Sequence, residues 1–100
     1  MSDIHVSIVT PEGKAFDGPA SSVVAPGMQG TFGVLSSHAP LISGLQRGIV
    51  KIEAADKTHF FVMDRGIAEV RENQMVLLAD SVEAAESKED AEAKLAALPN

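Results

Sequence analysis

Along this chain apolar residues recur mainly with period two. Ile4, Val6 and Ile8 alternate with His5 and Ser7, the signature of a half-buried strand, and Pro11 and Gly13 stop it. The stretch KAFDGPASSVVAPG reads as two short strands around an Asp17-Gly18-Pro19 turn. From Gly48 the chain reads as a meander. Val50 and Ile52 point inward between Lys51 and Glu53, Ala55-Asp56-Lys57 turns, and Thr58 to Met63 is extended. Asp64-Arg65-Gly66 is expected to turn again, Ile67 to Arg71 to extend, Glu72-Asn73 to turn, and Gln74 to Asp80 to close the series. Turns at this spacing belong to a sandwich or barrel. Two segments, FFVM and MVLLA, are apolar on both faces. One face belongs to the inner core, so the other must lie under a helix or a partner.

The period changes at Ser87. Ala91, Leu95 and Leu98 fall at i, i+4 and i+7, and Ser87 with Asp90 fits a start resembling a capping box. A helix of about ten residues follows, too short to stand alone, so it should dock its Ala/Leu stripe on the sheet. Lys94 is two residues from Glu92 and five from Glu89, which predicts no i,i+4 bridge. The expected division is residues 1–82 as the β domain and 83–100 as an acidic connector and helix.

The 100 residues suit one domain, and with only four aromatic residues, all Phe, its core must be aliphatic. The net charge of −6 lacks the basic footprint that nucleic acid demands and adheres poorly to anionic lipid. Part of the excess lies in residues 83–94, with five acids and two bases, read as a solvated surface and, as the lesser reading, a contact with a basic patch on a partner. Without cysteine there is no disulfide framework, thiolate metal site or cysteine nucleophile. No apolar run has the length of a membrane-spanning helix, and MSDIHVSIVT lacks a charged-then-apolar leader pattern, so a cytosolic or cytosol-facing chain is expected, without direct membrane insertion.

The glycine-rich stretch PGMQGTFGVLSSHAPLISGLQRG could cradle a phosphate or only shape the backbone. Its spacing is neither G-x-x-x-x-G-K-[ST] nor G-x-G-x-x-G, and no helix follows to hold an anion. Backbone shaping or a contact loop is the better reading. His38 has no positioned nucleophile and acid, and His5 and His59 lie on other strands, so no catalytic or metal site is expected. The acidic pairs Glu83/Glu86 and Glu89/Asp90 read as surface rather than as cleft carboxylates. Met28 is either an adaptable contact at a loop tip or a core residue.

GMQGTFGVLSSHAPLISGLQRG, followed by an alternating strand, resembles the signature of the epsilon subunit of bacterial and chloroplast rotary ATP synthases, G-x-x-G-E-L-G-x-x-P-G-H-A-P-L-L-T-x-L-x-P-G. IVTPEGKAFDGPASSVVAPG is similar to the family's opening strands, and FFVMDRGIAEVRENQMVLLADSVEAAESKEDAEAK to its later strands and first helix. The resemblance implies a mainly β fold: an antiparallel β-sandwich of about ten strands, then a short α-helix. It also implies a non-catalytic rotor subunit without cofactors, at the cytoplasmic face of the bacterial inner membrane. Such a subunit joins the gamma subunit to the membrane c ring and couples proton flow to ATP synthesis. By the same resemblance Thr10, His38 and Ser43 face gamma, while Gly30 and Thr31 meet the c ring; the alpha/beta head is a further possible partner.

The departures are specific. Thr31 stands where Glu is usual, Ser36-Ser37 replaces Pro-Gly, and Arg47 replaces Pro. Typical members carry a two-helix hairpin that can inhibit hydrolysis, whereas this sequence stops after one short helix. Either that arm is absent or the sequence is a piece of a longer chain; as given, it is expected to couple with little or no inhibition. Glu92 occupies the place of an Arg used by members that bind ATP on the hairpin, which argues against regulatory ATP binding. The rival from another class is a stand-alone β-sandwich adaptor that takes a peptide on a sheet edge.

Overall fold

A computed structural model describes residues 3–99; the ends of the two expected divisions, residues 1, 2 and 100, lie outside them. Eight strands precede one helix: β1 (Ile4–Thr10), β2 (Gly13–Ala20), β3 (Ser22–Gly27), β4 (Gly30–Leu35), β5 (Leu41–Leu45), β6 (Gly48–Glu53), β7 (Thr58–Arg71), β8 (Gln74–Ala85) and α1 (Lys88–Ala97). The hydrogen-bonded order is β2-β1-β8-β7-β5-β3-β4, with β6 between β3 and β7.

The architecture follows from β7 and β8, which pair with each other along their length. The first half of β7 also pairs with β6 and its second half with β5. Each long strand therefore serves two layers, β2-β1-β8-β7-β5 and β4-β3-β6-β7-β8. Eight continuous strands supply ten strand segments, which is how about ten strands becomes eight. Side-chain parity changes where the strands cross over. Phe61 and Met63 join the core from the first half of β7, Ala68 and Val70 from the second; on β8 the inward set passes from Met75, Leu77 and Ala79 to Val82. A strand with period-two alternation can switch faces only at a local irregularity. Here the irregularity is at Arg65, with φ 56°, where the pairing lapses between Asp64↔Ser81 and Gly66↔Ala79.

This corrects four expectations. Asp64-Arg65-Gly66 is a bend inside β7, not a chain reversal. Asp17-Gly18-Pro19 lies inside β2, and the chain turns at Ser21 instead. Pro19 is tolerated because β2 is an edge strand, paired only with β1, so its missing N–H breaks no second ladder. The sandwich is also not wholly antiparallel, since β1 runs parallel to β8. The last strand continues to Ala85, beyond the Asp80 at which the sequence pattern ends it.

The core is aliphatic, as the composition requires: Ile4, Ile8, Leu45, Ile52, Met63, Met75 and Leu77 are its largest fully buried side chains. Phe16 and His59 meet edge-on at 5.0 Å beside Phe61. Val62 and Ala91 are buried outside the main cluster, and α1 packs on β6, β7 and β8. The helix thus covers the second apolar face of FFVM. Ser87 caps α1 by accepting from Asp90 N at 3.0 Å, and Asp90 Oδ2 accepts from Glu86 N at 2.9 Å. Lys94 does form an i,i+4 pair, with Asp90 at 3.3 Å, contrary to the expectation drawn from Glu89 and Glu92. It also donates to Ala84 O at 2.9 Å and faces Glu83 at 3.6 Å, so it ties the helix to β8.

Candidate functional site

The second apolar face of MVLLA has no such cover. Alternation on β5, β7 and β8 sends Leu45, Ala68, Val70, Leu77 and Ala79 inward, and the same alternation sends Ile42, Ile67 and Leu78 outward. They are 73%, 50% and 50% exposed. The register gathers them: Ile67 lies opposite Leu78 on one side and Gly44 on the other, Leu78 opposite Val9, and Ile42 opposite Glu69. Single exposed aliphatics need no explanation, but a cluster on one rigid sheet face marks a contact surface.

Shallow grooves border this face. One, of about 470 Å³, runs between Thr10, Pro11, Gly66, Ile67, Leu78 and Asp80. Another, of about 590 Å³, runs from Met28, Gly30 and Thr31 past His38 to Ile42 and Ser43. The structure therefore brings four of the five sequence-derived contact residues, Gly30, Thr31, His38 and Ser43, to one groove, and sets Thr10 in the other. Gly44 and Ile67, opposite each other, link the two.

Each residue is held by local structure. Thr10 Oγ1 donates to Gly13 O at 3.1 Å and accepts from Glu12 N at 3.2 Å, locking the β1–β2 turn. Gly30 closes the two-residue Met28-Gln29 loop at φ 128°, a left-handed conformation that suits glycine, and Thr31 is exposed beside it. His38 is half-buried in the β4–β5 loop; its Nδ1–H donates to Ala39 O at 2.6 Å. Ser37, just before it, has φ 64° and donates its N–H to Asn73 Oδ1 at 2.5 Å, so the β7–β8 turn pins this loop. Ser43 Oγ donates to Gly44 O at 3.0 Å. Met28, which the sequence left open, is 64% exposed and lies over Gly44.

Two carboxylates stand on this face, Glu69 opposite Ile42 and Asp80 two residues from Leu78, and further charges are fixed around it. On the β1–β2 edge, Asp17 Oδ1 stands 2.6 Å from His5 Nε2 and accepts from Ser7 Oγ at 3.0 Å, while Oδ2 accepts from Lys14 Nζ at 3.2 Å. The bond with His5, then those with Lys14 and Ser7, lower its pKa to about 2. At the β7 bend, Arg47 holds Asp64 two-handed, Nε to Oδ1 at 3.2 Å and Nη2 to Oδ2 at 3.3 Å, and that hydrogen bonding, followed by the charges of Arg47 and Arg65, lowers the Asp64 pKa. Among the described residues no three of His, Asp and Glu converge as metal ligands would. The surface offers apolar area, hydroxyls and a few fixed charges, which is chemistry for binding a protein.

Sequence reading missed Ile42, Ile67 and the Arg47–Asp64 pair. The first two could have been found by pairing the doubly apolar MVLLA with its neighbours. The last had no local signal, since its members are far apart along the chain.

Comparison with known proteins places these features in a family context. The family described as ATP synthase, Delta/Epsilon chain, beta-sandwich domain matches residues 3–85. The ATP synthase epsilon chain of Campylobacter curvus is 48% identical over 81 residues, covering 80% of this chain and 63% of that protein. That of Pelotomaculum thermopropionicum is 44% identical over 92 residues, covering 92% and 69%. The chain thus spans less than two thirds of the Campylobacter relative. A chain in the Euglena gracilis mitochondrial ATP synthase OSCP/F1/c-ring structure has the same fold, with a TM-score of 0.80 at 19% identity, over 94% of this chain and 61% of that one. A chain in the Tetrahymena thermophila mitochondrial ATP synthase central stalk/c-ring structure matches with a TM-score of 0.69 at 18% identity, over 82% and 66%.

Proposed function

The chain belongs to the ATP synthase delta/epsilon family, and on that premise we propose that it is the epsilon subunit of a bacterial rotary ATP synthase. In this reading it is a non-catalytic part of the rotor. It joins gamma to the membrane c ring and sits at the cytoplasmic face of the plasma membrane. Among the described residues no helix is long and apolar enough to cross a bilayer.

The observation that carries the reading is the uncovered apolar face of Ile42, Ile67 and Leu78, bordered by Thr10 and Ser43. Gamma is its proposed occupant. The Met28–Thr31 end of the neighbouring groove is proposed to rest on the ring. The fold suits torque transfer, because β7 and β8 pass without interruption from one layer into the other. Shear applied to one layer reaches the second through covalent backbone and a β7–β8 ladder that lapses only at Arg65, not through side-chain packing alone.

The test is affinity purification of the tagged chain from detergent-solubilised membranes of its own organism. Gamma and the c subunit should co-purify, and the pair of substitutions Ile42→Asp and Leu78→Asp should remove gamma while leaving the isolated domain folded. Recovery of neither partner with the wild-type chain would point to the stand-alone adaptor and overturn the assignment.

A further inference from the structure

The chain carries fourteen acids against eight bases, yet none of its carboxylates falls between Asp17 and Glu53. That span supplies the Met28-Gln29 hairpin and both of its strands. Where this end of the sandwich meets the β7 bend, Met28, Gln46, Arg47, Asp64 and Arg65 line a groove of about 360 Å³. One carboxylate there lies between two guanidiniums. Asp64 is committed to Arg47 by two bonds, and Arg65 Nε reaches it only at 3.9 Å. The Arg65 side chain remains 73% exposed. The groove is thus locally cationic on a molecule of net charge −6.

Arg65 also sits at φ 56°. That is the irregularity at which β7 changes faces, so the exposed guanidinium is carried on the bend itself.

We propose that this corner receives an acidic loop of the membrane ring, with the Arg65 guanidinium meeting a carboxylate of that loop and Met28 packing beside it. The inference rests on the rotor reading, which sets the Met28–Thr31 end on the ring. A guanidinium fork suits a single carboxylate held at fixed geometry. A lipid surface is the poorer occupant. Attraction to anionic lipid accumulates over several cations, and the acidic remainder of the chain opposes it.

Three variants test this in the purification described above. With Arg65→Glu, gamma should remain while ring retention falls by about ten-fold or more, the scale of a lost charge-assisted contact replaced by repulsion. Arg65→Ala should give a smaller loss, and raised salt should weaken ring retention by the wild type in the same way. In the complex carrying Arg65→Lys, a zero-length carbodiimide should link residue 65 to an Asp or Glu of the ring subunit, identified by peptide mass spectrometry. Ring retention unchanged in Arg65→Glu, a cross-link confined to Asp64 or to gamma, or Arg65-dependent binding to phosphatidylglycerol vesicles would each overturn the proposal. If the wild-type chain recovers neither gamma nor ring, the rotor reading fails and this proposal with it; if it recovers both and Arg65→Glu still holds the ring, only this proposal fails.

Discussion

Gly66 offers a sharp test of how the two layers are joined. It lies just after the β7 bend, paired with Leu45 on one side and Ala79 on the other. A Cβ built there would overlap the Leu78 carbonyl oxygen, stand 3.0 Å from its carbon and reach the Ala79 Cα at 3.1 Å. All three obstacles are backbone, so no rotamer change relieves them. Either β8 moves away, opening the ladder at the corner, or the bend itself shifts. Overpacking against well-packed neighbours costs about 1–3 kcal/mol, and rigid obstacles favour the upper part of that range. The lower entropy of an unfolded alanine offsets about 0.4–1 kcal/mol of it. Gly66→Ala should therefore destabilise the domain by about 2 kcal/mol, lowering Tm by roughly 10–15 °C for a chain of this size. Gly33→Ala is the internal control: its nearest obstacle, Val23 O, is at an ordinary 3.8 Å. There the entropy effect alone should operate, leaving stability unchanged or raised by up to about 1 kcal/mol. Thermal melts followed by circular dichroism, with urea unfolding to check for a constant m value, measure both. A Gly66→Ala protein that melts with the wild type, or with Gly33→Ala, would refute the claim that the strand crossover depends on backbone contact at this point.

Replacing the helix cap, Ser87→Ala, should cost about 0.5–2 kcal/mol and raise amide exchange in α1 before the rest of the domain, because Asp90 N loses its acceptor; uniform exchange throughout would count against it. The Asp17 pKa is lowered to about 2, so the stabilisation from its His5, Lys14 and Ser7 partners is present above the unfolded value near 3.8 and is lost as pH falls through about 2. Asp17→Asn should therefore flatten the decline of Tm between those two values, and an unchanged profile would refute the assignment. The paired substitutions Ile42→Asp and Leu78→Asp should leave Tm close to wild type, since both positions are exposed, yet weaken gamma binding by about 2 kcal/mol or more if they sit at an interface centre; isothermal titration with purified gamma measures this.

Alternation and turn chemistry by themselves determined most of the elements: β1, β6 and the Glu72-Asn73 turn stand where the pattern places them, as does the cap at Ser87. These depend on contacts within a few residues, which a sequence states directly. The spacing of the glycine-rich stretch likewise argued against a phosphate cradle and for backbone shaping or a contact loop, and the stretch runs through β4 and β5. Tertiary structure decided what depended on residues distant in sequence. Asp64-Arg65-Gly66 has the composition of a turn, and only pairing with β8 on both sides of Arg65 makes it a bend within one strand. MVLLA and FFVM are equally apolar on both faces, but α1 returns to cover only the second, so one becomes core and the other leaves Leu78 in solvent beside Ile42 and Ile67. Arg47 and Asp64 meet across the sheet corner, and their pairing leaves Arg65 outward. Periodicity reports which side of a strand is apolar; which side finds a neighbour depends on where the rest of the chain comes to lie.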